Sequence, residues 1–120
     1  MNLRIEFSRV FVRQAKKLSK RHRSLKRDLQ ALVESLRDDP TQGVIIGQDT
    51  RKIRLAITSK GKGKSGGGRV ITFYKNFIDS ETGEKVILLL VTLYDKSDKD
   101  SVSDSDIRDI IVETKIFEEE

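Results

Sequence analysis

The sequence predicts an α+β fold, in which an antiparallel sheet carries an N-terminal helical hairpin on one face and a C-terminal helix, in the order β-α-α-β-β-β-α. Three observations predict it. Apolar residues alternate at period two near the N-terminus and again from residue 51; they recur at helical spacing between residues 9 and 36; and one run, residues 86 to 94, is apolar on both faces. The 120 residues are expected to form one domain spanning residues 1 to 120, since a second core has little room at that length.

Each element follows from its local pattern. Residues 3 to 7 set Leu3, Ile5 and Phe7 on one side of an extended chain and Arg4 and Glu6 on the other. Ser8 then caps a helix in which Phe11, Ala15 and Leu18 form the dry stripe and Arg13, Lys16, Lys17 and Lys20 the wet one. Ser24 caps a second helix with the stripe Leu25, Leu29, Leu32, Val33, Leu36, which Asp38, Asp39 and Pro40 stop. Pro40 and Gly43 mark an exit loop.

From Arg51 the period returns to two, with Ile53, Leu55 and Ile57 on one face and Lys52, Arg54 and Ala56 on the other. Residues 60 to 68, KGKGKSGGG, hold five glycines, three lysines and no apolar side chain, so a mobile loop is expected. Residues 69 to 77 (RVITFYKNF) are β-branched and aromatic, residues 79 to 83 turn the chain, and residues 86 to 94 (VILLLVTLY) make the spine of the sheet. Ser103 and Asp106 form a helix-start signal before Ile107, Ile110, Ile111 and Thr114, and an acidic tail follows at about residues 117 to 120.

Composition removes several function classes. With no cysteine there is no disulfide scaffold, thiolate metal site or cysteine nucleophile. The one histidine, His22, lies in the basic run Lys20-Arg21-His22-Arg23 and reads as an exposed turn residue, which leaves no catalytic triad and no histidine metal site. No metal and no cofactor is expected. No apolar run approaches the roughly 20 residues of a membrane span, and no apolar leader precedes the first charges, so the expected compartment is the cytoplasm.

Charge is polarised along the chain. Residues 1 to 75 carry 19 Lys and Arg against 6 Asp and Glu, a surplus of 13, whereas residues 76 to 120 carry 5 against 13, a deficit of 8. A basic surface of that kind attracts a polyanion, and nucleic acid is the natural one. The loop at residues 58 to 68 resembles a phosphate-cradling P-loop only at Gly63-Lys64-Ser65; Thr58 stands where the first glycine belongs and a strand follows instead of a helix. Lysines spaced by glycines suit a nucleic-acid backbone better.

In an antiparallel meander Lys52, Arg54, Arg69, Tyr94 and Lys96 converge on one open face, with nothing acidic placed to neutralise them and Arg69 a surface charge at a strand start. Asp95 and Asp98 read as turn residues, and Asp104, Asp106 and Asp109 as partners of a helix dipole. Such a cation set can cleave RNA without histidine. A lysine crowded by cations loses proton affinity and can serve as base, arginine stabilises the phosphorane-like transition state, and a phenol or second lysine donates or stacks. The same groups equally suit phosphate binding alone.

The series Lys52-Ile53-Arg54-Leu55, the KGKGKSGG run from residue 60, Arg69-Val70-Ile71 and LLVTLYDKS from residue 89 resembles the RelE/ParE superfamily of bacterial toxins, closest to its HigB-like, RelE-like subgroup. The resemblance implies a microbial RNase-like fold and a type II toxin that enters the ribosomal A site, cleaves mRNA without metal and is masked by a cognate antitoxin, in a hetero-oligomeric toxin-antitoxin complex away from membranes. It implies catalytic roles for Lys52, Arg54, Arg69, Tyr94 and Lys96, and nucleic-acid binding by Arg51, Lys60, Lys62 and Lys64. RelE proper carries a further arginine after the fourth-strand lysine and a tyrosine beyond it; residues 97 to 103 here offer neither. A ParE-like protein that inhibits DNA gyrase without chemistry, and an inactive RNA- or antitoxin-binding homologue, are the alternatives.

Overall fold

The computed structural model describes residues 3–61, 63–64 and 66–115. Strand β1 (Leu3–Phe7) leads into helices α1 (Arg9–Arg21) and α2 (Leu25–Asp38), then β2 (Val44–Gly47), β3 (Thr50–Leu55), a single 3-10 turn (Thr58–Lys60), β4 (Gly68–Asp79), β5 (Gly83–Asp95) and α3 (Asp104–Thr114). The strands form one sheet ordered β1-β5-β4-β3-β2. The protein is thus α+β, but the sheet is mixed and not purely antiparallel, because β1 runs parallel to β5. The helical hairpin supplies the long crossover that such a start requires.

One strand lies where the sequence suggests none. Residues 44–47, expected within an exit loop, pair antiparallel with β3 as an edge strand, Val44 facing Lys52 and Ile45 facing Arg51. The run is too short and too exposed to show period two: Val44 and Ile45 remain 71% and 69% exposed.

Two apolar layers hold the sheet. On one face the α1–α2 hairpin brings Phe11, Leu18, Leu25, Leu32 and Leu36 onto Ile53, Leu55, Val70, Leu88, Leu90 and Leu93. On the other, Ile107 of α3, with Ile110 and Ile111, covers Ile71, Phe73, Leu89, Val91 and Tyr94. Strand β5 lies between β1 and β4 and is buried on both sides from Val86 to Asp95, which is the physical reason its sequence has lost alternation. No helix among the described residues is long and apolar enough to cross a membrane.

Capping follows the sequence at two helices and departs from it at one. Phe11 N–H donates to Ser8 Oγ at 2.9 Å, and Asp106 N–H to Ser103 Oγ at 3.1 Å. Ser24, however, is itself helical in backbone and makes no cap; its hydroxyl donates to Asp28 at 2.8 Å. Beyond Leu90, where β1 ends, α1 completes the bare edge of β5: Ser8 Oγ donates to the Val91 carbonyl at 2.6 Å, and Leu93 N–H donates to Gln14 Oε1 at 3.0 Å.

Candidate nucleic-acid interface

The candidate site is a matter of register. Arg54 stands opposite Arg69, and Arg69 opposite Tyr94, so these three side chains form a cross-strand row on one face; Lys52, two residues from Arg54, shares that face. A bulge in β5 makes the row possible. Ile71 pairs with Thr92 but Thr72 with Leu90, leaving Val91 as an extra residue. Strict alternation from Leu88 and Leu90 would send Tyr94 under the helical hairpin; the bulge turns Leu93 there and Tyr94 to the opposite side.

Where α3 stops covering this face, an open concavity of about 570 Å³ remains, lined by Lys52, Arg54, Lys64, Arg69, Lys96 and Asp100, with Gly43, Val44 and Ile46 as its wall. Four of the five residues expected to be catalytic therefore meet here, joined by the loop lysine Lys64. Among the described residues Lys52, Arg54 and Lys64 make no ion pair. Lys96 Nζ does find a carboxylate, Asp100, at 3.5 Å, which corrects the expectation that nothing acidic is nearby; that aspartate is 93% exposed and its pull is screened by water.

Arg69 is not the surface charge expected of a strand start. It is buried, 6% exposed, and its Nη1 donates at 3.0 Å both to the Lys64 carbonyl and to the Gly68 carbonyl. The guanidinium thus holds the Lys64 backbone beside the start of β4 as well as presenting charge. A second tether is Lys96 N–H, which donates to the Gly67 carbonyl at 3.0 Å. Gly67 is also required where the loop passes the end of β3, since a Cβ there would fall 2.2 Å from the Leu55 carbonyl oxygen. The loop expected to be mobile is therefore pinned at its C-terminal end.

Tyr94 supports the concavity from below and does not line it. Its ring is packed in the second core layer, 4% exposed, and its hydroxyl donates to the Asp100 carbonyl at 3.4 Å. Burial pushes the phenol pKa up, with Arg69 opposing and Asp100 adding to the rise, so the group stays a protonated donor. Arg51 faces the other way, its guanidinium 5.4 Å from the centre of the Tyr74 ring. Lys62 and the acidic tail lie outside the described residues.

Lys60 also stands apart, and it leads to a constellation without a counterpart in the sequence pattern. Its Nζ is 2.8 Å from Asp95 Oδ1 and donates to Ser97 Oγ at 2.9 Å. Asp95, 1% exposed, further accepts from Ser97 N–H at 2.9 Å, lies 3.0 Å from His22 Nε2, and is 3.7 Å from Arg21, which in turn grips Asp98 at 2.7 Å. Burial pushes the Asp95 pKa up, but the Lys60 ammonium, Ser97 N–H and His22 outweigh it and hold the carboxyl well below its usual range. His22 is accordingly a half-buried partner of Asp95 and no exposed turn residue, and Asp95 is more than a turn former.

Beside it a second latch ties the same 3-10 turn to α2. Asp28 accepts from Thr58 N–H at 2.9 Å, Thr58 Oγ1 at 2.6 Å and Ser24 Oγ at 2.8 Å, which together overcome its desolvation and lower its pKa. Neither latch has a local sequence signal; alternation alone hints that Asp95, between Tyr94 and Lys96, must face away from them.

No protein-family model and no curated protein matches this chain. Its chemistry has to be read from the site.

Proposed function

We propose that the protein is a RelE-like toxin of a type II toxin-antitoxin system, a translation inhibitor that cleaves mRNA in the ribosomal A site without metal and works in the cytoplasm until a cognate antitoxin masks it. The observation that carries this reading is the convergence of Lys52, Arg54, Arg69, Lys96 and Lys64 on one open concavity with one exposed carboxylate among its described lining residues. A ribose-phosphate strand is the ligand such a surface fits: several cations within one groove, no acidic pair for hydrolysis, and an open side by which a single strand can enter.

In this reading the bond to the leaving 5′-oxygen breaks as the neighbouring 2′-hydroxyl attacks. Lys52 or Lys96 takes the hydroxyl proton, the other cation donates to the leaving oxygen, and Arg54 and Arg69 carry the charge that develops on phosphorus. The element order and the meander of β3, β4 and β5 support a RelE-like fold, with β2 as an additional edge strand.

A reconstituted translation reaction with toeprinting tests the reading. Wild type is expected to give A-site cuts that Lys52→Ala and Lys96→Ala each reduce at least tenfold. An absence of cuts together with ribosome or RNA binding would replace the enzyme by a second reading, a binder without chemistry; the sequestered Tyr94 hydroxyl favours that one. Gyrase-dependent DNA breaks would replace both.

A further inference from the structure

Asp95 occupies an unusual position. Of its two chain neighbours, Lys96 lines the concavity and Tyr94 supports it from below, while its own carboxylate is buried on the opposite side among Lys60, His22 and Ser97 N–H. Its backbone is equally engaged: the Asp95 carbonyl accepts from Asp98 N–H at 2.9 Å and Lys99 N–H at 3.3 Å, and the residue pairs with Gly68 in the ladder. Burying a carboxylate costs several kcal/mol unless its lone pairs are filled, and here the partners from Lys60 and Ser97 come from segments that border the concavity or the loop beside it. Lys60 opens the glycine loop; Ser97 follows Lys96; Gly67, which closes the loop, receives Lys96 N–H.

We propose that Asp95 is a positioning residue for the cationic concavity: its buried carboxylate holds Lys60 at the start of the glycine loop and the turn after β5, its backbone pairs with Gly68 at the loop's far end, and together they fix where Lys64 and Lys96 meet an RNA phosphate. The inference rests on the RNA-directed reading above and adds to it a residue that touches no substrate. It divides the loop cations by task. Lys60 is spent on the anchor, 11% exposed against the carboxylate, whereas Lys64 is exposed at the concavity. The clamp works by charge, so an amide of the same shape in place of the carboxylate should release it while leaving the core layers untouched.

The test uses the full chain in four forms: wild type, Asp95→Asn, Lys60→Met and Lys60→Arg. Each is assayed for A-site cleavage under single-turnover, saturating conditions, for the salt dependence of binding to oligo(U) RNA, for thermal unfolding, and for amide exchange at Lys96. Asp95→Asn and Lys60→Met are expected to fold, to fall at least tenfold in cleavage rate at saturation, to exchange the Lys96 amide at least tenfold faster, and to lower the salt slope by roughly 0.7 for each RNA phosphate no longer neutralised. Lys60→Arg, which keeps the charge, should recover most of the rate.

A role in stability alone predicts a lower melting temperature with wild-type rate and salt slope per folded molecule, and that result overturns the proposal. Should Asp95→Asn fail to fold, Lys60→Met against Lys60→Arg still decides it. If wild type neither cuts nor binds RNA, the functional reading falls; accelerated Lys96 exchange in the variants would then leave a clamp without that purpose, and unchanged exchange would remove the clamp too.

Discussion

Asp95 and Lys96 are adjacent in the chain, yet they open onto two regions with opposite electrostatic logic. In the clasp, Arg21, His22 and Lys60 face Asp95 and Asp98, so that cations and carboxylates nearly balance and the central carboxylate is buried. In the concavity, Lys52, Arg54, Lys64, Arg69 and Lys96 gather with Asp100 as the one carboxylate among the described lining residues, and the site is open to water. The first arrangement satisfies itself and contributes to folding. The second leaves Lys52, Arg54 and Lys64 without an ion pair among the described residues, which is what a surface for a polyanion needs.

The largest effect should come from breaking the balance on the clasp side. Asp95→Ala strands Lys60 beside a buried void, and removing one partner of a buried pair costs about 3 kcal/mol or more. Urea unfolding of this variant should show a lower midpoint at an unchanged slope; a midpoint within error of wild type would make the clasp ornamental.

Arg69→Ala should come next, because Arg69 belongs to both regions in kind: a concavity cation that is also buried and bonded to two carbonyls. Removing those charge-assisted bonds is expected to cost about 2 kcal/mol and to abolish cleavage, so a joint fall in stability and activity at this residue does not by itself identify a catalytic group. Arg69→Lys separates the two, keeping the charge without the fork; it should retain phosphate attraction and still lower stability.

The same two regions mark what was legible in the sequence. The layers and all but one strand follow from periodicity, from β-forming residue types or from an unbroken apolar run, since apolar spacing reflects burial directly: the stripe from Leu25 to Leu36 and the double-sided run of β5 say which faces are dry. Lys52 and Arg54 were legible for the same reason, as the polar half of an alternating strand, and Lys64 as a lysine of the glycine loop. The clasp was not, because its partners stand 73 residues apart for His22 and Asp95 and 35 for Lys60 and Asp95, and no local rule links them. Nor was the bulge at Val91, which decides the side of Tyr94 through one unpaired residue in an evenly apolar run. Edge strand β2 has no such signal either, because its four residues, none of them buried, carry no period.

Titration should distinguish the regions more gently. The Asp95 and Asp28 carboxyls both lie below their unfolded values of about 3.9, so each adds stability that is complete above that pH and disappears as pH falls through the lower folded value. Melting temperature is therefore expected to be level from roughly pH 5 to 8 and to drop below about pH 4. In Asp95→Asn the neutral-pH stability is lower but the acid limb is shallower, since one of the two groups that must take up a proton is gone. An acid limb as steep as that of wild type would mean other carboxylates drive it.

The smallest change in stability is expected on the concavity side, at Lys52→Ala and Arg54→Ala. Both side chains point from β3 into the open face and make no ion pair among the described residues, so their removal should alter unfolding free energy by no more than about 0.5 kcal/mol. Relief of mutual repulsion among five clustered cations even favours a slight gain. Their effect should appear instead in RNA binding, where each phosphate left without its cation lowers the slope of log K against log salt by roughly 0.7, and the double variant shows about twice that change. Measuring both quantities on one preparation sharpens the contrast: residues whose charge is satisfied within the protein change the first, residues whose charge faces outward change the second. A Lys52 or Arg54 variant that unfolds like Asp95→Ala would place these cations inside the structural network and leave the concavity without its distinguishing property.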